Sequence, residues 1–302
     1  MAEDSENTDG QNTDGAVPWR AFYEEARGRL EAVGNEFASI DARRIVEEAS
    51  GAEPGEFTLM LDEFARERGV AHFDHMLTRR LAGEPLQYVL GRWGFRTLDL
   101  AVDARVLIPR PETEGVVDLA LAEIRAIDDR EIWVADLGTG SGCIGLSIVA
   151  ENPRVQMICT DASERAVAAA RANAAGLGRP ARRIEIRQGD WFGALPDERK
   201  DSFDLIISNP PYIADGEALP AVVAEWEPTD ALFAGPTGLE DAWVLIDGAG
   251  EWLRPGGALV LELGETQLDA AAERASAAGF DEVQVHRDLA DKDRALVARL
   301  PA

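Results

Sequence analysis

Cysteine is scarce in this chain of 302 residues, and Cys143 and Cys159 are the only two. Two cysteines cannot build the disulfide framework of a small secreted protein, nor a four-cysteine zinc site. They suit a reducing compartment instead. His72 and His75 lie three residues apart, but no cluster of acids or cysteines in the sequence completes a ligand set around them, so we predict no metal site.

Positive charge and long apolar runs are also scarce. Acidic residues outnumber basic ones 56 to 30, giving a net charge of −26, and Lys200 and Lys292 are the only lysines. Such a surface repels phosphate backbones and anionic lipids, which disfavours a general nucleic-acid or membrane binder. No uncharged apolar run approaches the ~20 residues that cross a bilayer, and the acidic N-terminus does not resemble a signal peptide. We therefore expect a cytoplasmic protein, and a monomer, that contacts neither membrane nor nucleic acid directly.

Composition and patterning divide the chain into four predicted segments. Residues 1–16 carry five acids and no bases, which is typical of a disordered tail. Residues 17–84 predict an N-terminal helical bundle, residues 85–102 a hairpin-like linker, and residues 103–302 the main domain.

The bundle is predicted from apolar residues at three- and four-residue spacings. The third of its four helices is expected over Phe57 to Arg68, with a stop at Gly69, and the fourth runs from Val70 to Leu81. After the break at Gly83-Glu84-Pro85, we expect extended structure from Leu86 to Gly91 and again from Phe95 to Leu100.

Strands and helices alternate in the main domain, which predicts an α/β fold with a doubly wound sheet. The last two strands are expected to form an antiparallel pair at the sheet edge. In such folds ligands bind at the carboxyl ends of the strands, so the residues there matter most. The predicted strands are Ile132–Leu137, Val155–Thr160, Arg183–Gln188, Phe203–Ser208, Ala258–Leu263, Val283–His286 and Ala295–Arg299.

A glycine-rich loop follows the first of these strands. Its residues are Gly138, Thr139, Gly140, Ser141 and Gly142. The glycines let the backbone turn tightly and approach a ligand closely. A dinucleotide fingerprint would place glycine where Cys143 stands, so hydride transfer is not favoured. The loop indicates a nucleoside-bearing cofactor, with a purely structural turn as the alternative.

Two further strand ends carry candidate cofactor contacts. Asp161 lies 23 residues after Gly138 and is placed to accept hydrogen bonds from ribose hydroxyls, although Asp161 to Glu164 also has the form of a helix capping box. Trp191 follows the third strand and can flank an adenine ring, whereas the alternative places both Trp191 and Phe192 in the core.

The most specific signal is Asn209-Pro210-Pro211-Tyr212, after the fourth strand. The two prolines make a stiff extended segment. The Asn209 side-chain carbonyl and the Pro210 carbonyl offer two acceptors for the N–H groups of a planar –NH₂, and Tyr212 offers a face against which that plane can pack. This pattern favours chemistry at an amide or exocyclic amine nitrogen.

These motifs together resemble the class I S-adenosylmethionine-dependent methyltransferases, which have a Rossmann-like sheet. Further segments are similar to the peptide chain release factor N5-glutamine methyltransferase family, PrmC/HemK, over roughly residues 18–300. These segments are Gly83–Gly91, Leu107–Glu114, Gln188–Phe192, Leu261–Gln267 and Asp288–Arg294.

The resemblance implies a helical N-terminal domain and methylation of the glutamine in the Gly-Gly-Gln motif of bacterial class I release factors. It implies that the Gly138–Gly142 loop, Asp161, Trp191 and Asn209 bind S-adenosylmethionine. It further implies that the Asn209–Tyr212 segment binds the substrate glutamine, with Asn209, Pro210 and Tyr212 serving the transfer itself.

Two other functions use the same features. An adenine N6 methyltransferase on DNA or RNA can use the same Asn-Pro-Pro-Tyr grip, but the net charge of −26 disfavours it. A non-catalytic cofactor-binding module would need no amine grip. The sequence leaves open whether Arg110 and Glu112 touch substrate or join the linker to the main domain.

Overall fold

The computed structural model describes residues 17–53, 55–128 and 130–302, so the predicted acidic tail at residues 1–16 lies outside the described residues. The described chain forms two compact units that divide between Leu90 and Gly91. The boundaries predicted from sequence at residues 84 and 102 remain predictions.

The first unit is helical, as its apolar spacing predicts. Its core is built from side chains with no exposed surface, among them Leu30, Ile45 and Phe73. Helix α2 ends at Gly51, whose φ of 73° is a left-handed conformation that glycine adopts at no steric cost. Its helices are α1 (Trp19–Ala32), α2 (Ala38–Ser50), α3 (Phe57–Met60), α4 (Glu67–Leu81) and α5 (Leu86–Leu90).

The predicted third helix is wrong in length, because α3 stops at Met60 and α4 begins before Gly69. Gly69 lies inside α4 for a packing reason. A Cβ atom at this position would lie 2.9 Å from the indole ring of Trp19 and 3.0 Å from the Ala49 carbonyl. The glycine thus marks a close approach between helices rather than a helix end.

The predicted extended structure from Leu86 to Gly91 is also wrong over α5. Pro85 precedes the helix, and its carbonyl accepts a hydrogen bond from Val89 N at 3.0 Å. Proline is well tolerated at a helix start because the first N–H groups have no partner within the helix. Gly91, with a φ of 73°, ends the turn.

A hairpin opens the second unit. Strand β1 (Arg92–Phe95) pairs antiparallel with β2 (Leu98–Ala101). The buried Asn173 accepts a hydrogen bond from Ala101 N at 2.8 Å and donates to the carbonyls of Ala101 and Ser141 at 3.1 and 2.9 Å. One side chain therefore joins the hairpin to the glycine-rich loop.

The main sheet has the strand order β5-β4-β3-β6-β7-β9-β8, and β9 is antiparallel to both of its neighbours. From β3 the chain adds β4 and β5 on one side and β6 and β7 on the other. The predicted antiparallel pair at the edge is confirmed, with β8 outermost. The strands are β3 (Ile132–Leu137), β4 (Val155–Asp161), β5 (Ile184–Gln188), β6 (Phe203–Ser208), β7 (Leu253–Glu262), β8 (Glu282–Arg287) and β9 (Asp293–Arg299).

Helices complete the second unit and confirm the predicted α/β class. Apolar residues of the sheet and of the flanking helices pack into a buried core. Helix α6 begins with Pro111 after the extended Arg110, an arrangement in which the fixed φ of proline suits the first helical turn. Strand β7 begins at Leu253 instead of the predicted Ala258. These helices are α6 (Pro111–Arg125), α7 (Cys143–Glu151), α8 (Glu164–Gly176), α9 (Ala221–Trp226), α10 (Glu240–Ala249) and α11 (Leu268–Ala277).

Candidate active site

The glycine-rich loop leaves the carboxyl end of β3, the strand at which the direction of strand addition reverses. Gly138, Gly140 and Gly142 all have positive φ, at 72°, 56° and 85°. Nothing lies within 4 Å of a Cβ built on Gly140, so the backbone there faces open space. The loop thus exposes its main chain at the place where an α/β sheet binds ligands.

Asp136 supports this loop from below, a role that the sequence did not reveal. Its Oδ2 accepts hydrogen bonds from the Thr139 hydroxyl at 2.6 Å and from Gly145 N at 3.0 Å. Within the described part of the chain, its buried Oδ1 has no partner. Burial raises the pKa of Asp136 to about 6, while these two hydrogen bonds oppose the rise.

Asp161 ends β4 and also holds the loop. Its Oδ2 accepts a hydrogen bond from Gly140 N and its Oδ1 accepts one from Ser163 N, both at 2.9 Å. The predicted capping role is wrong, since the residue that caps α8 is Ser163, whose Oγ accepts from Ala166 N. Burial raises the pKa of Asp161. Each carboxylate oxygen has two lone pairs, so acceptor capacity remains for a ligand.

The two aromatic residues that follow β5 both pack, partly buried, against the core. Phe192 stacks on Trp252 at a centroid distance of 6.2 Å. Trp191 instead lines the cavity and covers Gly138, where a Cβ atom would lie 3.2 Å from the indole ring.

Trp191 also has a strained backbone. Its φ of 39° is uncommon for a residue with a side chain, and such conformations cost about 1–3 kcal/mol unless the surroundings compensate. The ring packs against Gly138 and lies beside the glycine-rich loop.

The Asn209–Tyr212 segment follows β6. Asn209 Nδ2 donates to Thr113 Oγ1 at 3.4 Å. Among the described residues, none donates a hydrogen bond to Asn209 Oδ1 or to the Pro210 carbonyl. Gln267 Nε2 donates to the Tyr212 carbonyl at 2.8 Å and holds the end of the segment. The two acceptors that the sequence singled out are thus uncommitted.

Arg110 and Glu227 form an ion pair at one wall of the site. Glu227 is buried and accepts from the Arg110 guanidinium at 2.6 Å and from Ile108 N at 3.1 Å. This pair ties the segment before α6 to the segment after α9. Arg110 also lines the cavity, so both roles that the sequence left open for it stay open. Glu112 lies exposed at the start of α6.

One cavity of about 260 Å³ joins these features. Its wall also includes Arg105, Cys143 and Asp230. Gly142, Pro210 and Tyr212 are not among the residues that line it. The predicted site residues that line the cavity are Gly138, Thr139, Gly140, Ser141, Asp161, Trp191, Asn209 and Pro211.

The residues of the cavity suit a nucleoside. The open backbone at Gly140 admits close approach, Asp161 offers a carboxylate, and the Trp191 ring offers an apolar face. Across residues 17–302 as described, no group of three or more His, Cys, Asp and Glu side chains is arranged to hold a metal ion. Over the same residues, no helix combines the length and the apolar character that a membrane span requires.

Comparisons with known proteins agree with this architecture. A family model for the PrmC N-terminal domain matches residues 22–91, and one for the methyltransferase small domain matches residues 119–226. A release factor glutamine methyltransferase of Cereibacter sphaeroides is 43% identical over 279 residues, which cover 91% of this chain and 95% of that protein. A release factor glutamine methyltransferase of Xylella fastidiosa is 43% identical over 232 residues, or 76% of this chain and 81% of that protein.

A solved structure shares the fold at low identity. The hMettl16 catalytic domain, crystallised in complex with MAT2A 3'UTR hairpin 6, matches with a TM-score of 0.51 and 13% identity over 80% of this chain and 84% of that one.

Proposed function

The chain belongs to the release factor glutamine methyltransferase family, and on that premise we propose that it transfers a methyl group from S-adenosylmethionine to the side-chain amide nitrogen of a glutamine in a bacterial release factor. The proposed glutamine is that of the Gly-Gly-Gln motif of class I release factors. The observation that carries the proposal is the pair of uncommitted acceptors, Asn209 Oδ1 and the Pro210 carbonyl, on a stiff segment beside the cavity.

The cofactor half of the site is proposed to lie at the ends of β3, β4 and β5. Backbone of the Gly138–Gly142 loop approaches the cofactor, Asp161 accepts hydrogen bonds from the ribose hydroxyls, and Trp191 flanks the adenine. S-adenosylmethionine, when bound, supplies an electrophilic methyl group on a sulfonium. Asn209 lines the same cavity, which supports the proposal that it also lies beside this methyl group.

The substrate half is proposed to act by positioning. The lone pair of a primary amide nitrogen is delocalised, so the nitrogen is a weak nucleophile. Asn209 Oδ1 and the Pro210 carbonyl accept its two N–H groups, and Tyr212 packs against the amide plane. Alignment of reacting groups contributes up to about 7–11 kcal/mol in ideal intramolecular systems.

The same two carbonyl dipoles favour the transfer electrostatically. Positive charge would move from the sulfonium sulfur to the substrate nitrogen as the carbon–sulfur bond breaks, leaving a neutral thioether, and the carbon–nitrogen bond forms. Acceptors placed beside that nitrogen stabilise the charge there. The proton on nitrogen becomes more acidic as this charge develops, and it leaves late, to water. The segment therefore needs no strong base of its own.

The test locates the methyl group. The full chain is incubated with isotopically labelled S-adenosylmethionine, a class I release factor and, separately, DNA and RNA, and the label is mapped by peptide mass spectrometry. We expect label on the Gly-Gly-Gln glutamine. Label on adenine, or a release factor with that glutamine unlabelled, would contradict the proposal. A release factor with the glutamine replaced by alanine is the matched control.

A further inference from the structure

Two buried polar side chains lie behind the Asn209–Tyr212 segment, and the mechanism above does not use them. Thr113 lies in the first turn of α6 and is 2% exposed. Glu262 ends β7, against which α6 packs, and is 1% exposed. In the described part of the chain, Glu262 Oε2 has no hydrogen-bond partner. A carboxyl group buried in this way is costly to the fold, so its presence calls for a use.

The three side chains lie in a short polar row. Asn209 Nδ2 donates to Thr113 Oγ1 at 3.4 Å. The Thr113 hydroxyl opposes the burial-driven rise in the pKa of Glu262, which is the effect of a hydroxyl that donates to a carboxylate. An ionised carboxylate can accept hydrogen bonds but cannot donate one. The single hydroxyl proton of Thr113 is therefore directed at Glu262, and the lone pairs of its oxygen face Asn209.

This polarity decides which way the Asn209 amide faces. The lone pairs of Thr113 attract the Nδ2 group and repel Oδ1, so the amide nitrogen turns towards Thr113 and the amide oxygen stays uncommitted. A flipped amide would present Nδ2 to the substrate, and two N–H donors would then oppose the donors of the substrate amide.

We propose that Thr113 and Glu262 are positioning residues that fix the orientation of the Asn209 amide, so that Oδ1 is presented to the –NH₂ group of the substrate. The inference rests on the proposed function, because it supplies the acceptor that a planar amide requires. Thr113 and Glu262 thus determine which atom of the Asn209 amide meets the substrate, although neither residue contacts the substrate itself.

Protonation of Glu262 removes this control. A neutral carboxyl group can donate to Thr113, whose proton is then available for Asn209 Oδ1, and the flipped amide becomes equally well satisfied. Burial raises the pKa of Glu262 to about 7. The charged and titratable groups that face it are Arg294 of β9, Arg110 and Glu112 at the start of α6, Tyr212 after β6 and Cys143 of α7.

The sign of the pH effect follows from the active form. The orientation of the Asn209 amide is fixed when Glu262 is ionised. The rate of methyl transfer should therefore rise as the pH increases through the neutral range, and it should be low at acidic pH. Arg294 and Arg110 favour the ionised form, whereas Glu112 opposes it. The kcat of the wild-type enzyme should therefore have an acidic limb at a pH well above the usual range of a glutamate.

The experiment compares Thr113→Val, Thr113→Ser and Glu262→Gln with the wild type, over roughly pH 5.5–9. For Thr113→Val we expect kcat to fall about 10- to 100-fold while the dissociation constant of S-adenosylmethionine stays within about twofold. Thr113→Ser keeps the hydroxyl and should recover most of the loss. Glu262→Gln should remove the acidic limb. Asp204→Asn neutralises another buried carboxylate, which pairs with Arg130, and should leave the limb in place.

A second measurement does not depend on turnover. The side-chain amide resonances of Asn209 are assigned by their loss in Asn209→Ala, and their pH dependence is followed by NMR with S-adenosylmethionine bound. We expect them to titrate in the wild type with the pKa of the acidic limb, and not in Thr113→Val or Glu262→Gln. Unchanged titration in both variants would overturn the inference, even if the release factor proved not to be the substrate. Conversely, wild-type kcat and pH profile in Thr113→Val would overturn it while leaving the proposed function intact.

Discussion

Removal of the Asp161 carboxylate tests the cofactor half of the site. The Asp161→Ala change deletes the acceptor shared by Gly140 N and Ser163 N, each at 2.9 Å, together with the proposed acceptor for the ribose. Hydrogen bonds to a charged group are worth about 1.5–3 kcal/mol, so the dissociation constant of S-adenosylmethionine should rise about 10- to 150-fold. Burial raises the pKa of Asp161, so the folded protein holds the ionised carboxylate at a free-energy cost. Its removal should therefore lower the free energy of unfolding by less than it weakens the free energy of cofactor binding.

Calorimetric titration at neutral pH measures this loss, and thermal unfolding of the ligand-free protein measures the change in stability. Ser163→Ala is the matched control. It removes the side-chain cap of α8, at a cost of about 1 kcal/mol in stability, and leaves the Asp161 carboxylate in place. We expect near-normal affinity in this control. If Asp161→Ala bound the cofactor as tightly as the wild type and only melted earlier, Asp161 would be a structural residue and the reasoning would be refuted.

Three further outcomes are expected. Asn209→Ala should lower kcat by at least about 100-fold while the calorimetric affinity for S-adenosylmethionine is largely kept, and near-normal turnover would exclude its role. Glu227→Gln disrupts the buried pair with Arg110 and should lower the free energy of unfolding by about 1.5–3 kcal/mol in chemical denaturation; an unchanged midpoint would show that the pair contributes nothing. Truncation to Gly91–Ala302 should impair methylation of intact release factor much more than cofactor affinity, and equal losses in both would argue against a role of the first unit in holding the substrate protein.

The centre of the second unit was largely predictable because β3, β4 and β6 are short buried apolar runs, each followed by a polar or glycine-rich segment. The bounds predicted for Ile132–Leu137 and Phe203–Ser208 match β3 and β6. Parallel strands bring their carboxyl ends to one edge, so the glycine-rich loop, Asp161, Trp191 and Asn209 meet at one cavity without any long-range information in the motifs themselves.

The errors arose where a local signal had two physical meanings. The pattern predicts a helix stop at Gly69, but this residue is a site of close contact with Trp19. Pro85 predicts a break before extended structure, but it precedes the first residue of α5. Asp161 had the spacing of a capping residue, yet the chain uses Ser163 as the cap and leaves Asp161 for the loop.

Other parts of the site could not be predicted, because their partners are distant in sequence. Thr113 and Asn209 are 96 residues apart, Arg110 and Glu227 are 117 apart, and Gln267 reaches the Tyr212 carbonyl from 55 residues away. No periodicity or motif spacing records such pairs. These pairs form because α6 and the start of α11 pack beside the ends of the strands. That packing can be seen only in the folded structure.

The reversal of strand addition at β3 has an evolutionary consequence. The glycine-rich loop, Asp161 and Trp191, proposed to hold the methyl donor, follow β3, β4 and β5. The segment proposed to grip the acceptor nitrogen follows β6, on the other side of β3. Substitutions around Asn209, Thr113 and Glu262 can therefore accumulate without rewriting the glycine-rich loop. An ancestral chain of this kind can change what it methylates while it inherits, unaltered, the means by which it obtains the methyl group.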